Sequence, residues 1–419
     1  TTGYKESPHA ILTRTLGSDQ HYRLFDALTP ELRTADRTLH HLVDLDLGDT
    51  ALMSAGGWLH AQGELIDALT FYKQSAESGN AKAMFGIGLI AYGSEELDHA
   101  RLWWERAAAC GDALAMLNLG VLAKRQGQLE SSRGWWERAA FYQATTALAS
   151  LYLGILDQEA GDLTRARTWY EQAATHNNAD AMNNLGSIVE QAGDLETAQT
   201  WWGKAAMSGH VGAMNNLATS HHRFGDPEIA RTWWMRAAAH NDADSIYNLG
   251  FIAQQAGHLK TAQSRYLQAA KLGSGRAMLN LGVIAADTGD LETARTWYQK
   301  AIQHGENDAI NNLGILAVLA GDVDTARTWY EKAANHGDPV AMFNLGNLNE
   351  RAGDTETART WYEKAADHGH PDAMFNAGVS MYNAGDTNSA RTWWVRAAAA
   401  GSVEAQQALD ETDGDSASG

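Results

Sequence analysis

The chain has 419 residues, of which 44% are hydrophobic and 20% are charged, so it can bury a core and is not expected to be disordered. Its single cysteine, Cys110, excludes an intramolecular disulfide framework and favours a cytoplasmic over a secreted location, although the compartment stays open. The net charge of −19 disfavours nucleic acid, and the lack of long apolar runs disfavours membrane insertion, so the sequence predicts a soluble protein.

The first segment, residues 1–50, is predicted to form two or three helices. Thr29-Pro30 is a typical helix start, and an apolar stripe lies within residues 32–43. Two interpretations stay open. The segment is either a cap on the region that begins at residue 51 or the remnant of a preceding domain.

Residues 51–404 repeat themselves. Most tryptophans lie in adjacent pairs of residues, and nine of the ten intervals between pairs are 32 residues long. We therefore divide this region into eleven repeats, with a two-residue insertion near Gln143. The pairs are Phe71-Tyr72, Trp103-Trp104, Trp135-Trp136, Trp169-Tyr170, Trp201-Trp202, Trp233-Trp234, Arg265-Tyr266, Trp297-Tyr298, Trp329-Tyr330, Trp361-Tyr362 and Trp393-Trp394.

Each repeat is predicted to contain two helices, A and B. In the ninth repeat, helix A covers residues 309–320 and helix B covers residues 323–336. A glycine follows helix A in ten repeats, because the residue after a helix often needs left-handed backbone angles. In seven of these repeats an aspartate comes next, such as Asp194, and its carboxylate can accept hydrogen bonds from the first amides of helix B.

Helix B carries an apolar stripe at the spacing i, i+3, i+4 and i+7, which favours burial of one face. Large rings opposite small residues of helix A would let the two helices approach closely. One repeat cannot bury both of its faces, whereas stacked repeats can, which predicts an all-α solenoid. Arg265 replaces a tryptophan of the stripe, and we expect a buried charge there to need a partner. In the eighth repeat the stripe and its partners are Ala294, Trp297, Tyr298 and Ala301 facing Met278, Leu281 and Gly282.

The last segment, residues 405–419, begins with a twelfth helix A. Gln406 and Gln407 stand where apolar residues usually lie, so this half-repeat is predicted to be a soluble cap. From Asp410 onward the sequence is acidic and rich in small residues, which predicts a disordered tail.

The repeat has a recurring motif: Ala-Met-x-Asn-Leu-Gly, then Gly-Asp, then Ala-Arg-x-Trp-Tyr-x-Lys-Ala-Ala and a closing Gly, as in residues 341–369. This motif closely resembles the Sel-one-like repeat, a relative of the tetratricopeptide repeat, over residues 51 to about 409. It departs from the family in its 32-residue unit, which has the short turn of the tetratricopeptide repeat. The resemblance implies an α-solenoid of stacked antiparallel helix pairs in a right-handed superhelix. It also implies binding of peptides or proteins in the concave groove, without catalysis.

Eight repeats carry an asparagine directly before the Leu-Gly position of helix A, and we call these residues the ladder asparagines. A side-chain amide can pair with the N–H and C=O of an extended peptide, as some tetratricopeptide superhelices are known to do. The same amide can instead bond a neighbouring helix, and spacing alone does not separate the two roles. The ladder asparagines are Asn118, Asn184, Asn216, Asn248, Asn280, Asn312, Asn344 and Asn376.

Other positions that face the groove by resemblance carry nearly balanced charge, with six basic and eight acidic residues. Aromatic residues at these positions favour an uncharged or apolar-anchored segment as the ligand. The candidate contacts are therefore the ladder asparagines from Asn184 to Asn376 together with Tyr247, Phe251, Phe343 and Phe375.

Patterns that suggest chemistry have simpler explanations. The segment Gly86-Ile87-Gly88-Leu89-Ile90-Ala91 satisfies a dinucleotide-binding glycine pattern but lies within a helix A with no strand before it. Adjacent histidines on a helix diverge by about 100° and do not easily ligate one ion. Cys110 has no catalytic partner defined by sequence. We predict no enzymatic activity, no cofactor and no metal. Five histidines near the end of helix B are predicted to cap it: His176, His240, His304, His336 and His368.

Two functions are compatible with these features. The first is a non-enzymatic scaffold or adaptor that holds a protein or extended peptide in its groove. The alternative is a structural solenoid that self-assembles end to end, since solenoid ends expose stacking faces. The polar cap at the C-terminal end counts against the alternative.

Overall fold

The computed structural model describes residues 48–418, which form 23 α-helices and no β-strand. Odd-numbered helices correspond to the predicted helices A and even-numbered helices to helices B. In chain order they are α1 (Asp49–Gln62), α2 (Leu65–Glu77), α3 (Ala81–Gly93), α4 (Leu97–Ala109), α5 (Ala113–Arg125), α6 (Leu129–Ala140), α7 (Thr146–Glu159), α8 (Leu163–Thr175), α9 (Ala179–Gln191), α10 (Leu195–Met207), α11 (Val211–Arg223), α12 (Pro227–Ala238), α13 (Ala243–Gln255), α14 (Leu259–Lys271), α15 (Gly275–Asp287), α16 (Leu291–Gln303), α17 (Asp308–Leu319), α18 (Val323–Asn335), α19 (Pro339–Arg351), α20 (Thr355–Asp367), α21 (Pro371–Asn383), α22 (Thr387–Ala399) and α23 (Val403–Ser418).

The helices form two compact units, of which the first ends at Ala213 and the second begins at Met214. Within each unit, helices that follow one another along the chain pack together, as the stacking of helix pairs predicts. The first unit has a core that extends from Leu52 to Leu156, and a core of the second unit extends from Ile246 to Leu316. The all-α solenoid class is thus confirmed in the helices of both units.

The turns between helices A and B confirm the predicted glycine at the end of helix A and the aspartate that caps helix B. Gly193 has a φ of 86°, which is the left-handed region that glycine adopts without strain. The next residue, Asp194, accepts a hydrogen bond from the backbone amide of Thr197 at the start of α10. Six of the seven predicted aspartates cap in this way, and the exception is Asp226, which precedes Pro227.

The second residue of each aromatic pair is the one that holds helices A and B together. Tyr298 is buried and lies on Gly282, whose missing side chain makes room for the ring. The first residue, Trp297, is only half-buried, and the Lys300 ammonium lies 4.5 Å from its ring centroid. The same lysine or arginine contact, three residues after the tryptophan, occurs in eight repeats.

The prediction of a buried charge at Arg265 is wrong. Arg265 occupies the first position of its pair, which faces outward, and it is half-exposed. Its Nη1 donates a hydrogen bond of 3.3 Å to Oε1 of Gln268 at the surface. The arginine therefore needs no buried partner, because this position is only half-buried in every repeat except the first, where Phe71 is buried.

The two-residue insertion changes the link between the third and fourth repeats. Where other repeats have glycine or asparagine, threonine side chains satisfy the last carbonyls of α6. Thr145 Oγ1 donates to the Ala139 carbonyl at 2.6 Å, and Thr146 Oγ1 donates to the Ala140 carbonyl at 3.0 Å. The link is thus closed by side-chain hydrogen bonds in place of a left-handed residue.

The C-terminal helix α23 packs through Ala405 and Leu409, which are buried, while Gln406 and Gln407 are exposed. The helix continues to Ser418, so the structure differs from the disordered tail expected from Asp410 onward. Of the predicted N-terminal segment, residues 1–47 lie outside the described residues.

Candidate functional site

The candidate site is the exposed side of the odd-numbered helices, which we call the A face. In each helix it consists of the ladder position and the residues four before, three after and seven after it. In α13 these residues are Asp244, Asn248, Phe251 and Gln255, all of them exposed or half-exposed. Four positions at helical spacing therefore present one continuous strip of this helix to solvent.

All eight ladder asparagines are half-buried, and several of them bond the preceding helix A. Asn344 Nδ2 donates to Asn311 Oδ1 at 3.0 Å. Asn248 Nδ2 likewise donates to Asn215 Oδ1 at 3.2 Å. These amides link successive repeats, so the structural role that the sequence left open holds for at least these two residues.

Three other ladder asparagines bond tyrosines of the helix B stripe. Burial raises the pKa of Tyr266 to about 12, and a hydrogen bond with Asn280 opposes the rise. Asn184 and Asn376 make the corresponding bonds to Tyr170 and Tyr362, whose pKa values are also raised by burial.

Asn280 has a second contact, and three ladder asparagines remain. Asn280 Nδ2 lies 3.5 Å from the Tyr247 hydroxyl. Asn216 also interacts with a neighbour. Asn118 and Asn312 form no side-chain hydrogen bond to another residue in the described part of the chain, so their amides are available to a ligand.

The four aromatic candidates divide into one exposed ring and three that already pack against the protein. Phe251 is 37% exposed, and its ring stacks on Tyr247 with centroids 6.5 Å apart. Phe343 stacks on His370 with centroids 4.7 Å apart, and Phe375 packs against the core. Of this set, Phe251 offers the most open apolar surface.

Some of the charges on the A face are satisfied internally. Arg276 Nη2 donates to Asp244 Oδ1 at 2.6 Å, and its guanidinium lies 4.7 Å from the centroid of the Tyr247 ring. This pair connects α13 and α15. Charged side chains that pair in this way are less available to a ligand than the number of basic and acidic residues in the sequence suggests.

Aliphatic residues of the A face were missed in the sequence, where only rings and charges were considered. Val283 and Ile315 occupy the same position as Phe251 in the next two repeats, three residues after the ladder asparagine. Ile315 is 40% exposed, and Val283 is half-exposed. An alignment of the repeats would have revealed these residues, because the position three residues after the ladder asparagine is apolar in three consecutive repeats.

The patterns that suggested chemistry have structural roles. Gly86 and Gly88 lie inside α3, where Gly86 contacts the Tyr72 ring and Gly88 contacts the Trp104 ring. His368 Nδ1 lies 3.0 Å from the Lys364 carbonyl, as the capping interpretation predicts. Among residues 48–418 no cluster of three or more histidine, cysteine or acidic side chains is arranged to hold a metal ion. None of the helices in that range combines the length and apolarity needed to cross a membrane.

Two repeat families match this sequence. The tetratricopeptide repeat profile matches residues 151–207, 247–309 and 311–373. The Sel1 repeat profile matches residues 81–112, 211–242 and 371–402. The chain therefore belongs to the tetratricopeptide- and Sel1-repeat proteins, whose members are generally protein-interaction scaffolds.

Several solved structures are similar to this chain. A protective antigen present in uropathogenic Escherichia coli strains, which displays an SLR fold, is 24% identical over 90% of each chain with a TM-score of 0.58. A Sel1 repeat protein from Oxalobacter formigenes is 21% identical over 59% of this chain and 96% of its own, with a TM-score of 0.40. Yeast Tom70 is 14% identical over 88% of this chain and 95% of its own, with a TM-score of 0.45. No curated protein matches the sequence.

Proposed function

We propose that the protein is a non-catalytic scaffold that holds a protein segment in extended conformation along the A face of its second unit. The observation that carries this proposal is the apolar row Phe251, Val283 and Ile315, which is partly exposed in three consecutive repeats. Large apolar side chains that the fold does not bury are typical of interaction surfaces.

The ladder position adds polar contacts beside the apolar row. Asn312 lies three residues before Ile315 on α17, and its amide can both donate to and accept from a peptide backbone. An extended ligand needs such partners because its own N–H and C=O groups lose water on binding. Apolar contacts and a free amide therefore occur together in one repeat.

The charge of the chain favours a protein over a nucleic acid as the partner. With a net charge of −19, the protein repels a phosphate backbone unless positive charges are clustered. On the A face, Arg276 is already paired with Asp244. The proposed ligand is therefore a protein segment with apolar side chains at regular spacing.

End-to-end assembly, the alternative function, has less support. Gln406 and Gln407 of α23 are exposed where most other repeats place methionine and a second, mostly apolar residue. A second copy that stacked on this end would bury two side-chain amides, which is costly unless each finds a hydrogen-bond partner.

The proposal can be tested with a random dodecapeptide library displayed on phage and selected on the purified protein. Affinities of the selected peptides are then measured by fluorescence polarisation for the wild type, for F251S with I315S, and for M235S. Met235 is the matched control, since it is 53% exposed but lies on α12, a helix B.

We expect the A-face double variant to bind at least tenfold more weakly and the control to bind as the wild type does. Circular dichroism melting confirms that each variant is folded. Equal losses in both variants, or no selected peptides at all, would contradict the proposed function.

A further inference from the structure

The A face of the ninth repeat is more apolar than its neighbours. Ile315 is 40% exposed and Leu319 is 64% exposed, and the half-buried Val318 is adjacent to Leu319 in α17. We call these three residues the aliphatic patch. They stand three, six and seven residues after the ladder asparagine Asn312, and in the other repeats of the second unit at least one of these positions is polar.

The residues that correspond to Leu319 in the adjacent repeats carry opposite charges. Asp287 is 32 residues earlier, at the end of α15, and Arg351 is 32 residues later, at the end of α19. Both are exposed, and neither forms an ion pair within the range that the structure describes. Asp287 therefore lies on one side of the patch and Arg351 on the other, where the neighbouring Glu350 accepts a hydrogen bond from the Tyr362 hydroxyl.

The spacing of the repeats sets the register of a bound segment. Adjacent packed helices are about 10 Å apart, and an extended chain in the polyproline II conformation advances about 3.1 Å per residue with three residues per turn, so every third side chain lies on the same side. Three residues of an extended segment thus span one repeat. A side chain that contacts Leu319 is then followed, three residues away in either direction, by side chains next to Asp287 and Arg351.

We propose that the aliphatic patch anchors one large aliphatic side chain of the partner segment. We further propose that Asp287 and Arg351 select a basic residue three positions to one side and an acidic residue three positions to the other. The inference rests on the proposed function, and it names the ligand class: an extended segment with a central leucine, isoleucine or methionine between opposite charges.

Asp287 and Arg351 can select the charge order of the ligand, which the aliphatic patch alone cannot do. Apolar contact is non-directional and contributes affinity, whereas two opposite charges distinguish a segment from its reversed charge order. Because both side chains are exposed, their effect is expected to weaken as salt concentration rises.

The experiment compares the peptide selections of the wild type and of the charge-swapped variant D287R with R351D. Both proteins have the same net charge and the same aliphatic patch. The random dodecapeptide library is selected on each protein in parallel. The enriched peptides are then synthesised and titrated against both proteins, against L319S and against F251S.

We expect each protein to enrich an aliphatic residue with opposite charges three positions to either side, in reversed order for the two proteins. Each peptide should bind its own protein at least tenfold more tightly than the other, and L319S should weaken both. The same motif from both selections, or charges without a fixed order, would overturn the inference.

The outcome also separates this inference from the proposed function. Peptides that lose affinity for F251S but bind L319S and the charge-swapped protein as well as the wild type would overturn the inference and leave the proposed function supported. Peptides that are indifferent to every A-face substitution would overturn both. M235S serves again as the control on a helix B, and melting curves confirm that all variants fold.

Discussion

Trp202 lies so close to Gly186 that a β-carbon on Gly186 would be 2.6 Å from Cδ1 of the indole ring. The ring is buried, and its Nε1 donates to the Asn183 carbonyl at 3.1 Å, so it has little freedom to move away. The contact between α9 and α10 therefore depends on glycine at this position. The same relation between a glycine of helix A and the second aromatic residue of helix B occurs in most repeats.

Gly186→Ala is expected to lower stability by about 1–3 kcal/mol, because the added methyl group overpacks a contact that cannot relax freely. Gly203→Ala in the same repeat is the matched control, since a β-carbon there meets nothing within 4 Å. It should raise stability by up to about 1 kcal/mol through helix propensity. Urea denaturation followed by circular dichroism compares the two, and equal effects would show that the ring does not lock the helices.

The ladder asparagines are expected to separate into two groups on substitution. Asn344→Ala removes the donor to Asn311, which is only 7% exposed, and should lower stability by about 1–3 kcal/mol. Asn312→Ala should leave stability unchanged or raise it slightly, because the amide bonds no other described residue. Instead, Asn312→Ala should weaken peptide binding. Thermal melting and peptide titration of both variants test this prediction. A loss of stability in Asn312→Ala together with a loss of peptide affinity only in Asn344→Ala would refute it.

Asp157 is 1% exposed, and its Oδ1 accepts from Arg133 Nη2 at 2.5 Å. The hydrogen bond to this carboxylate raises the pKa of Arg133 above its ordinary value. Arg133→Met leaves the buried carboxylate without its main partner and should cost about 3–5 kcal/mol. Arg295→Met is the control, because Arg295 is exposed and lies 3.8 Å from Glu292, so its loss should change stability by less than about 0.5 kcal/mol. Similar melting temperatures for the two variants would contradict the expectation.

The capping aspartates make stability sensitive to acid. Hydrogen bonds from the threonine side chain and amide three residues on lower the pKa of Asp290, Asp322 and Asp354 below the ordinary value of 3.8. A group whose pKa is depressed on folding stabilises the protein above its unfolded pKa and loses that effect as pH falls through its folded pKa. The stabilisation is therefore complete above about pH 4 to 5 and is lost at lower pH.

Replacing these three aspartates by asparagine should reduce the fall in melting temperature between pH 5 and pH 3, since asparagine also caps but does not titrate. The control E292Q with D324N and E356Q removes the same charge and keeps the caps. It should follow the wild type. A triple asparagine variant with an unchanged pH dependence would show that the caps do not contribute to acid sensitivity.

Helix positions and most of the core were predictable from sequence because they recur. The turn glycines, the capping aspartates and the buried position of Tyr298 each occur in many copies, so an accidental pattern is improbable. Arg265 was misplaced for a physical reason. A stripe at i, i+3, i+4 and i+7 is wide enough that its edge residue faces outward, and periodicity does not distinguish the edge from the centre.

The candidate site was less predictable because its residues differ between repeats. Asn312 and Asn344 have the same sequence context before Leu-Gly, yet only Asn344 donates to the preceding helix A. Whether an amide is engaged depends on which residue stands 33 positions earlier, and that contact exists only in the folded chain. Leu319 was overlooked because an exposed leucine has no signature of its own and stands out only beside Asp287 and Arg351.

The central claim, that a protein segment lies on the A face, is tested most directly by photo-crosslinking a selected peptide to defined positions. Benzoylphenylalanine is placed singly at Phe251, Val283 or Ile315 on the A face, or at Met235, Leu267 or Val395 on helices B, where all three control residues are exposed. After irradiation, mass spectrometry measures the fraction of protein joined to the peptide. We expect crosslinks from the three A-face positions and only background from the three controls; crosslinks of equal yield from helices B, or from helices B alone, would contradict the account.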